Sequence, residues 1–145
     1  MRSLVRKTLT LVFLTAVLLP AAGKKLIHPP EFPKGRPFSP GLLVGDTLYV
    51  AGQIGQELKT GNVPDDFDTE VKLCLDNVGI ILKAGGMDFK DAVSVNVYLT
   101  DITLFQKMNE IYVKYFPEPR PVRTTVGVAK LVGKARIEIT VTARK

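Results

Sequence analysis

The sequence predicts an α+β sandwich, a single mostly antiparallel sheet with two helices on one face. Three patterns lead there. An apolar stripe at helical spacing runs through residues 67–82, a strict two-residue alternation through 92–99, and a second alternation through 136–143. Taken with the shorter segments around them, these give the order β-β-α-β-α-β-β.

A chain of 145 residues, 46% of them hydrophobic, is sized for one domain with an ample core. Its first residues read as a targeting leader and not as part of that core. Arg2, Arg6 and Lys7 make a basic start, residues 8–19 are an apolar run, and Pro20-Ala21-Ala22-Gly23 supplies the small residues of a cleavage site. The apolar run falls short of the roughly 20 residues that span a bilayer as a helix. We therefore expect a secretory signal over 1–23, an exported domain over 24–145, and no stable membrane insertion after cleavage. Without the leader the 20 basic residues become 17, against 14 acidic, a net charge of +3. Neither that balance nor any basic run points to nucleic acid.

Residues 24–40 hold Pro29, Pro30, Pro33, Pro37 and Pro40, which argue against helix and most strand pairing. An extended arm is expected there. Two short strands, 42–44 and 47–51, flank a Gly45-Asp46 turn, and 53–63 reads as a loop. Phe67, Val71, Leu75, Val78 and Leu82 share one helical face, with Asp65, Asp66 and Asp68 at its start and Gly85-Gly86 at its end. In 92–99, Val93, Val95, Val97 and Leu99 point one way and Ser94, Asn96 and Tyr98 the other. Asp101 or Thr103 is placed to cap a second helix that buries Leu104, Met108, Ile111, Tyr112 and Tyr115. The last 24 residues read as a hairpin, 124–130 and 136–143 about a Gly133-Lys134 turn. With both helices on one face and no third helix to cover the other, the bare face is expected to be covered by self-association.

Most catalytic patterns are missing. His28 and Cys74 are the only His and Cys, too few for a metal site or an intrachain disulfide. Cys74 falls in the helical stripe beside Val71 and Val78 and reads as a small buried hydrophobe. Gly52-Gln-Ile-Gly55 lacks the spacing and the Lys of a phosphate loop. Arg123 and Glu138 remain, on what reads as adjacent strands. In the expected hairpin register Glu138 faces Val128, with Arg123 about five residues further along. Pattern alone leaves them as either a charge pair or two solvated surface charges.

Four segments carry a resemblance: Pro37-Phe-Ser-Pro-Gly41, Leu48-Tyr-Val-Ala-Gly-Gln-Ile54, Met108-Asn-Glu-Ile-Tyr112, and Pro121-Val-Arg-Thr-Thr-Val126 with Ile137-Glu-Ile139 downstream. Together they resemble the reactive-intermediate deaminase (RidA) family, also called YjgF-like or L-PSP, from about Leu26 to the end. The resemblance implies a chorismate-mutase-like fold, a homotrimer, and clefts between neighbouring subunits. It implies cofactor-independent hydrolysis of small 2-imino and enamine acids, such as 2-aminoacrylate, to 2-oxo acids and ammonia. By position, Arg123 matches the carboxylate-holding arginine and Glu138 the glutamate that positions or deprotonates the attacking water. Asn109 matches an asparagine near the cleft, and Gly52 and Thr125 match positions whose backbone lines it. Phe38 stands at a ligand-facing position where many members have Tyr, and Ala51 where many have Ser. Loss of those two hydroxyls motivates an alternative, a trimer that binds a small carboxylate or a partner without turnover.

Overall fold

In the computed structural model, which describes residues 23–145, the chain runs β1 (Lys24–Ile27), β2 (Gly41–Val44), β3 (Thr47–Ile54), α1 (Phe67–Ala84), β4 (Ala92–Leu99), α2 (Phe105–Tyr115), β5 (Val122–Gly127) and β6 (Ile137–Arg144). The leader expected over 1–23 lies, except for Gly23, outside the described residues. Among those described, no helix is long and apolar enough to cross a membrane.

The strands form one mixed sheet in the order β1-β2-β3-β6-β4-β5, in which only β4 and β5 run parallel. Alternation decides which side is buried. Val95, Val97 and Leu99 of β4 face the same side as Val141, Ile139 and Ile137 of β6, their register partners. Leu48 and Val50 of β3 continue that layer. All are buried against Val71, Leu75, Val78 and Leu82 of α1 and Met108, Ile111 and Tyr112 of α2. Asp66 starts α1 by accepting from the Thr69 N–H at 2.8 Å, an N-cap bond that satisfies one otherwise orphaned donor.

Several expectations need correcting. The arm is not wholly unpaired: Lys24 to Ile27 precede the first proline, keep every N–H, and pair antiparallel with β2 as an edge strand. β3 runs on to Ile54, beyond the expected loop start at Gln53. Val93 is exposed, because the β4–β6 register shifts between Ala92 and Ser94 and turns it outward. Asp101 caps a short 3-10 helix, Ile102–Leu104, and α2 starts after it with no side-chain cap.

The largest correction concerns the end of the chain. β5 and β6 are not a hairpin. β6 carries an apolar stripe that is buried from end to end, so it occupies a central position between β3 and β4. β5 has no such stripe and lies at the edge, parallel to β4. The expected pairing of Glu138 with Val128 therefore does not occur, and Arg123 and Glu138 are not on adjacent strands. Tyr98 of β4 stands between Glu138 on one side and Val126 on the other.

Candidate functional site

The parallel register sets Arg123 beside Val95, on the helix-covered face, and the antiparallel register sets Glu138 beside Tyr98, on the bare face. Side chains three positions apart on β4 point in opposite directions, so Arg123 and Glu138 face opposite sides of the sheet. The sequence-derived site residues divide into two groups accordingly.

The first group gathers where β5 meets α2. Asn109, Tyr112 and Val113 of α2 line one depression with Arg120, Pro121 and Arg123. The Arg123 guanidinium carbon lies 4.5 Å from the Tyr112 ring centroid and 5.5 Å from that of Phe105, a cation–π cradle that fixes the direction of the fork. Arg120 is paired with Glu118, whereas among the described residues no carboxylate forms a salt bridge with Arg123. Burial pushes the Tyr112 phenol up from its ordinary pKa, with the Arg123 charge acting against it. Among the described residues, the buried Thr125 hydroxyl has no hydrogen-bond partner. Such an orphaned group costs about 1–3 kcal/mol unless something satisfies it.

The second group lines a cavity of about 520 Å³ on the other side, walled by Arg36, Phe38, Ala51, Gly52, Gln53, Ile54, Gln56, Val132 and Glu138. Pairing of β3 with β6 is interrupted between Val50 and Gln53, and Gly52 lies within that irregularity. The Glu138 carboxylate rests over the Gly52 backbone so closely that an added Cβ would overlap it. Glycine is required there for close approach. Gln53 steadies the irregular stretch by donating to the Ala51 carbonyl at 2.9 Å, and the Ala51 N–H bonds the Pro40 carbonyl at 2.9 Å.

Arg123, Asn109 and Thr125 thus lie on one side of a single chain, and Glu138, Gly52 and Phe38 on the other. The Tyr112 cradle was legible only as a buried helix position; its place one turn after Asn109 is the signal that links it to the site. Cys74 is fully buried, and burial, reinforced by the charges of Glu70 and Glu138, pushes its thiol well up. It is no nucleophile. Among the described residues no group of His, Cys, Asp and Glu is arranged to hold a metal ion.

Known proteins resemble this chain in sequence and fold. The family model described as Endoribonuclease L-PSP matches residues 31–145. A RutC family protein of Saccharolobus solfataricus is 41% identical over 124 residues, covering 84% of this chain and 98% of the relative. Human 2-iminobutanoate/2-iminopropanoate deaminase is 43% identical over 104 residues, covering 71% of this chain and 76% of the relative. The crystal structure of E. coli TdcF with bound serine superposes with a TM-score of 0.77 at 31% identity, covering 83% of this chain and 98% of TdcF.

Proposed function

This chain belongs to the reactive-intermediate deaminase family, the YjgF/RutC or L-PSP family, and from that premise we propose that it hydrolyses small 2-imino and enamine acids to 2-oxo acids and ammonia. The observation that carries the proposal is the pair of half-sites. One presents a guanidinium that among the described residues has no carboxylate partner, stacked on aromatic rings, and the other a carboxylate held over a glycine. The human relative acts on this class of substrate, and TdcF binds serine, a small amino acid.

The chemistry asks little of the protein. Arg123 offers two parallel N–H donors to the substrate carboxylate, a fork that Lys lacks. Asn109 and the Thr125 and Gly52 backbones complete the walls, and Phe38 covers the apolar end. Glu138 accepts a proton from water as the water oxygen bonds to the protonated imine carbon. The nitrogen of the resulting carbinolamine takes that proton back and leaves as ammonia. The hydroxyl becomes the carbonyl, and its proton goes to solvent. Holding the carboxylate and the water at the correct spacing supplies most of the acceleration.

The proposal includes a homotrimer, in which one subunit's Arg123 meets the next subunit's Glu138 across a shared cleft. The bare sheet face supports association, since Val122 is 72% exposed, Tyr49 53% and Val126 39%. Sedimentation should give the mass of three chains. Export through the leader is also proposed, and N-terminal sequencing of the mature protein should begin near residue 24. RNA is not the proposed substrate, given a net charge of only +3 without the leader.

The deciding assay follows ammonia or oxo-acid release from freshly generated 2-iminopropanoate by the wild type and Arg123→Ala. Equal rates contradict the proposal. One observation favours a second reading: Phe38 brings no hydroxyl into the Glu138 cavity. Calorimetric binding of 2-oxobutyrate or pyruvate with no ammonia release from imine supports a carboxylate-binding protein without turnover.

A further inference from the structure

We infer that Glu70, Cys74 and Asn77, a polar stripe on the buried face of α1, are positioning residues for the Gly52–Glu138 half of the site. The inference rests on the deaminase reading above. The three recur at spacings of four and three, so they point the same way from the helix, among Val71, Leu75 and Val78. All three are buried, with Glu70 at 0% exposure.

Each ties α1 to backbone that flanks the reacting groups. Asn77 Nδ2 donates to the Ile54 and Gln56 carbonyls, at 3.1 and 2.9 Å, where β3 ends. The Cys74 thiol donates to the Gln53 carbonyl at 3.0 Å. Glu70 accepts from the Arg136 and Ile137 backbone N–H groups at 2.6 and 3.3 Å, and from Arg136 Nε at 2.6 Å. Gly55 passes so close to Glu70 that an added Cβ would overlap it.

The location of these bonds carries the argument. They seize β3 just past the irregularity that holds Gly52, and β6 just before Glu138. The β3–β6 ladder cannot set that geometry alone, because its register breaks between Val50 and Gln53. A purely apolar helix face would pack as well but leave the carbonyls of residues 53, 54 and 56 and the N–H groups of 136 and 137 without these partners. The stripe instead fixes both segments against one rigid helix, and with them the approach of the Glu138 carboxylate to Gly52. Arg123 lies on β5 against Tyr112 and Phe105 of α2, and among the described residues no hydrogen bond or salt bridge joins it to the stripe, so carboxylate binding and water activation are supported by different elements.

Asn77→Leu tests this, since it keeps side-chain bulk while removing both donors; Asn77→Ser retains one donor and serves as partial rescue. Both are compared with the wild type at a temperature where all are folded, by kcat and KM on 2-iminopropanoate and by amide NMR of Gly52 and Glu138. We expect kcat to fall about tenfold or more in Asn77→Leu and less in Asn77→Ser, with KM within about twofold because the Arg123 clamp is untouched. The Gly52 and Glu138 resonances should move in both variants. A kcat unchanged per folded molecule, a KM that rises in step with the fall in kcat, or unmoved Gly52 and Glu138 resonances overturns the inference. A wild type that hydrolyses no imine would instead defeat the deaminase reading, and the resonances alone would then decide the positioning.

Discussion

Arg123 and Glu138 project from opposite faces of the same sheet, with β4 between their strands. No motion of side chains within one subunit brings the two together across a packed core. A site that uses both must be assembled from two copies, each giving one face.

Arg123 is expected to dominate carboxylate affinity. Arg123→Ala should weaken 2-oxobutyrate binding by about 2–5 kcal/mol, the range for removing one partner of a buried charge pair. Arg123→Lys should recover little of it, because an ammonium offers no planar fork and stacks less well on Tyr112 and Phe105. Calorimetry on the three proteins checks both statements.

Gly52→Ala should separate folding from turnover. The new methyl overlaps the end of the Glu138 side chain, which can swing away into the cavity, so the fold is retained. The displaced carboxylate no longer reaches its water, and kcat should fall to about that of Glu138→Ala. The double variant should be no worse than either single one, since both remove the same function. Additive losses in kcat would contradict the account.

Glu70→Ala should be the most destabilising change on α1. Arg136 would lose its carboxylate, and two backbone N–H groups would lose their acceptor in the interior. Arg136 is partly exposed and its charge can turn to water, so the cost comes mainly from the two unsatisfied N–H groups, about 1–3 kcal/mol each, to be read from the urea midpoint. A cost near zero would mean that solvent already satisfies this pair.

Tyr115 gives a pH signature that links the helices. Its hydroxyl donates to Asp76 at 2.8 Å, and burial together with that bond and the Asp76 charge push its pKa up from 10.0 to about 12. The folded state then holds a proton that the unfolded chain releases, so stability is fully present below pH 10 and declines as pH rises toward 12. Thermal scans across that interval should show a steeper loss for the wild type than for Tyr115→Phe.

The sequence made the periodic parts legible. The α1 stripe, the β4 and β6 alternations and the β2–β3 turn all follow from apolar spacing, which reports burial directly. Strand order was not legible at the end of the chain, because a hairpin and a parallel edge pairing share the same local pattern. What separates them is that β6 is buried along its full length and β5 is not. For the site, spacing alone could not raise Arg123 above a surface cation; only the motif around it did. Glu70 was hidden because a charge inside an apolar stripe declares its purpose only once Arg136, distant in sequence, folds against it.

The shared site is tested most directly by subunit complementation. Arg123→Ala and Glu138→Ala, each inactive alone, are mixed in equal amounts, dissociated and reassembled, and ammonia release from 2-iminopropanoate is followed. In a random trimer about a quarter of the interfaces pair an intact Arg123 with an intact Glu138, so about a quarter of the wild-type rate should return. A mixture as inactive as its parents, after exchange of subunits has been verified by mass, would contradict a site built across two subunits.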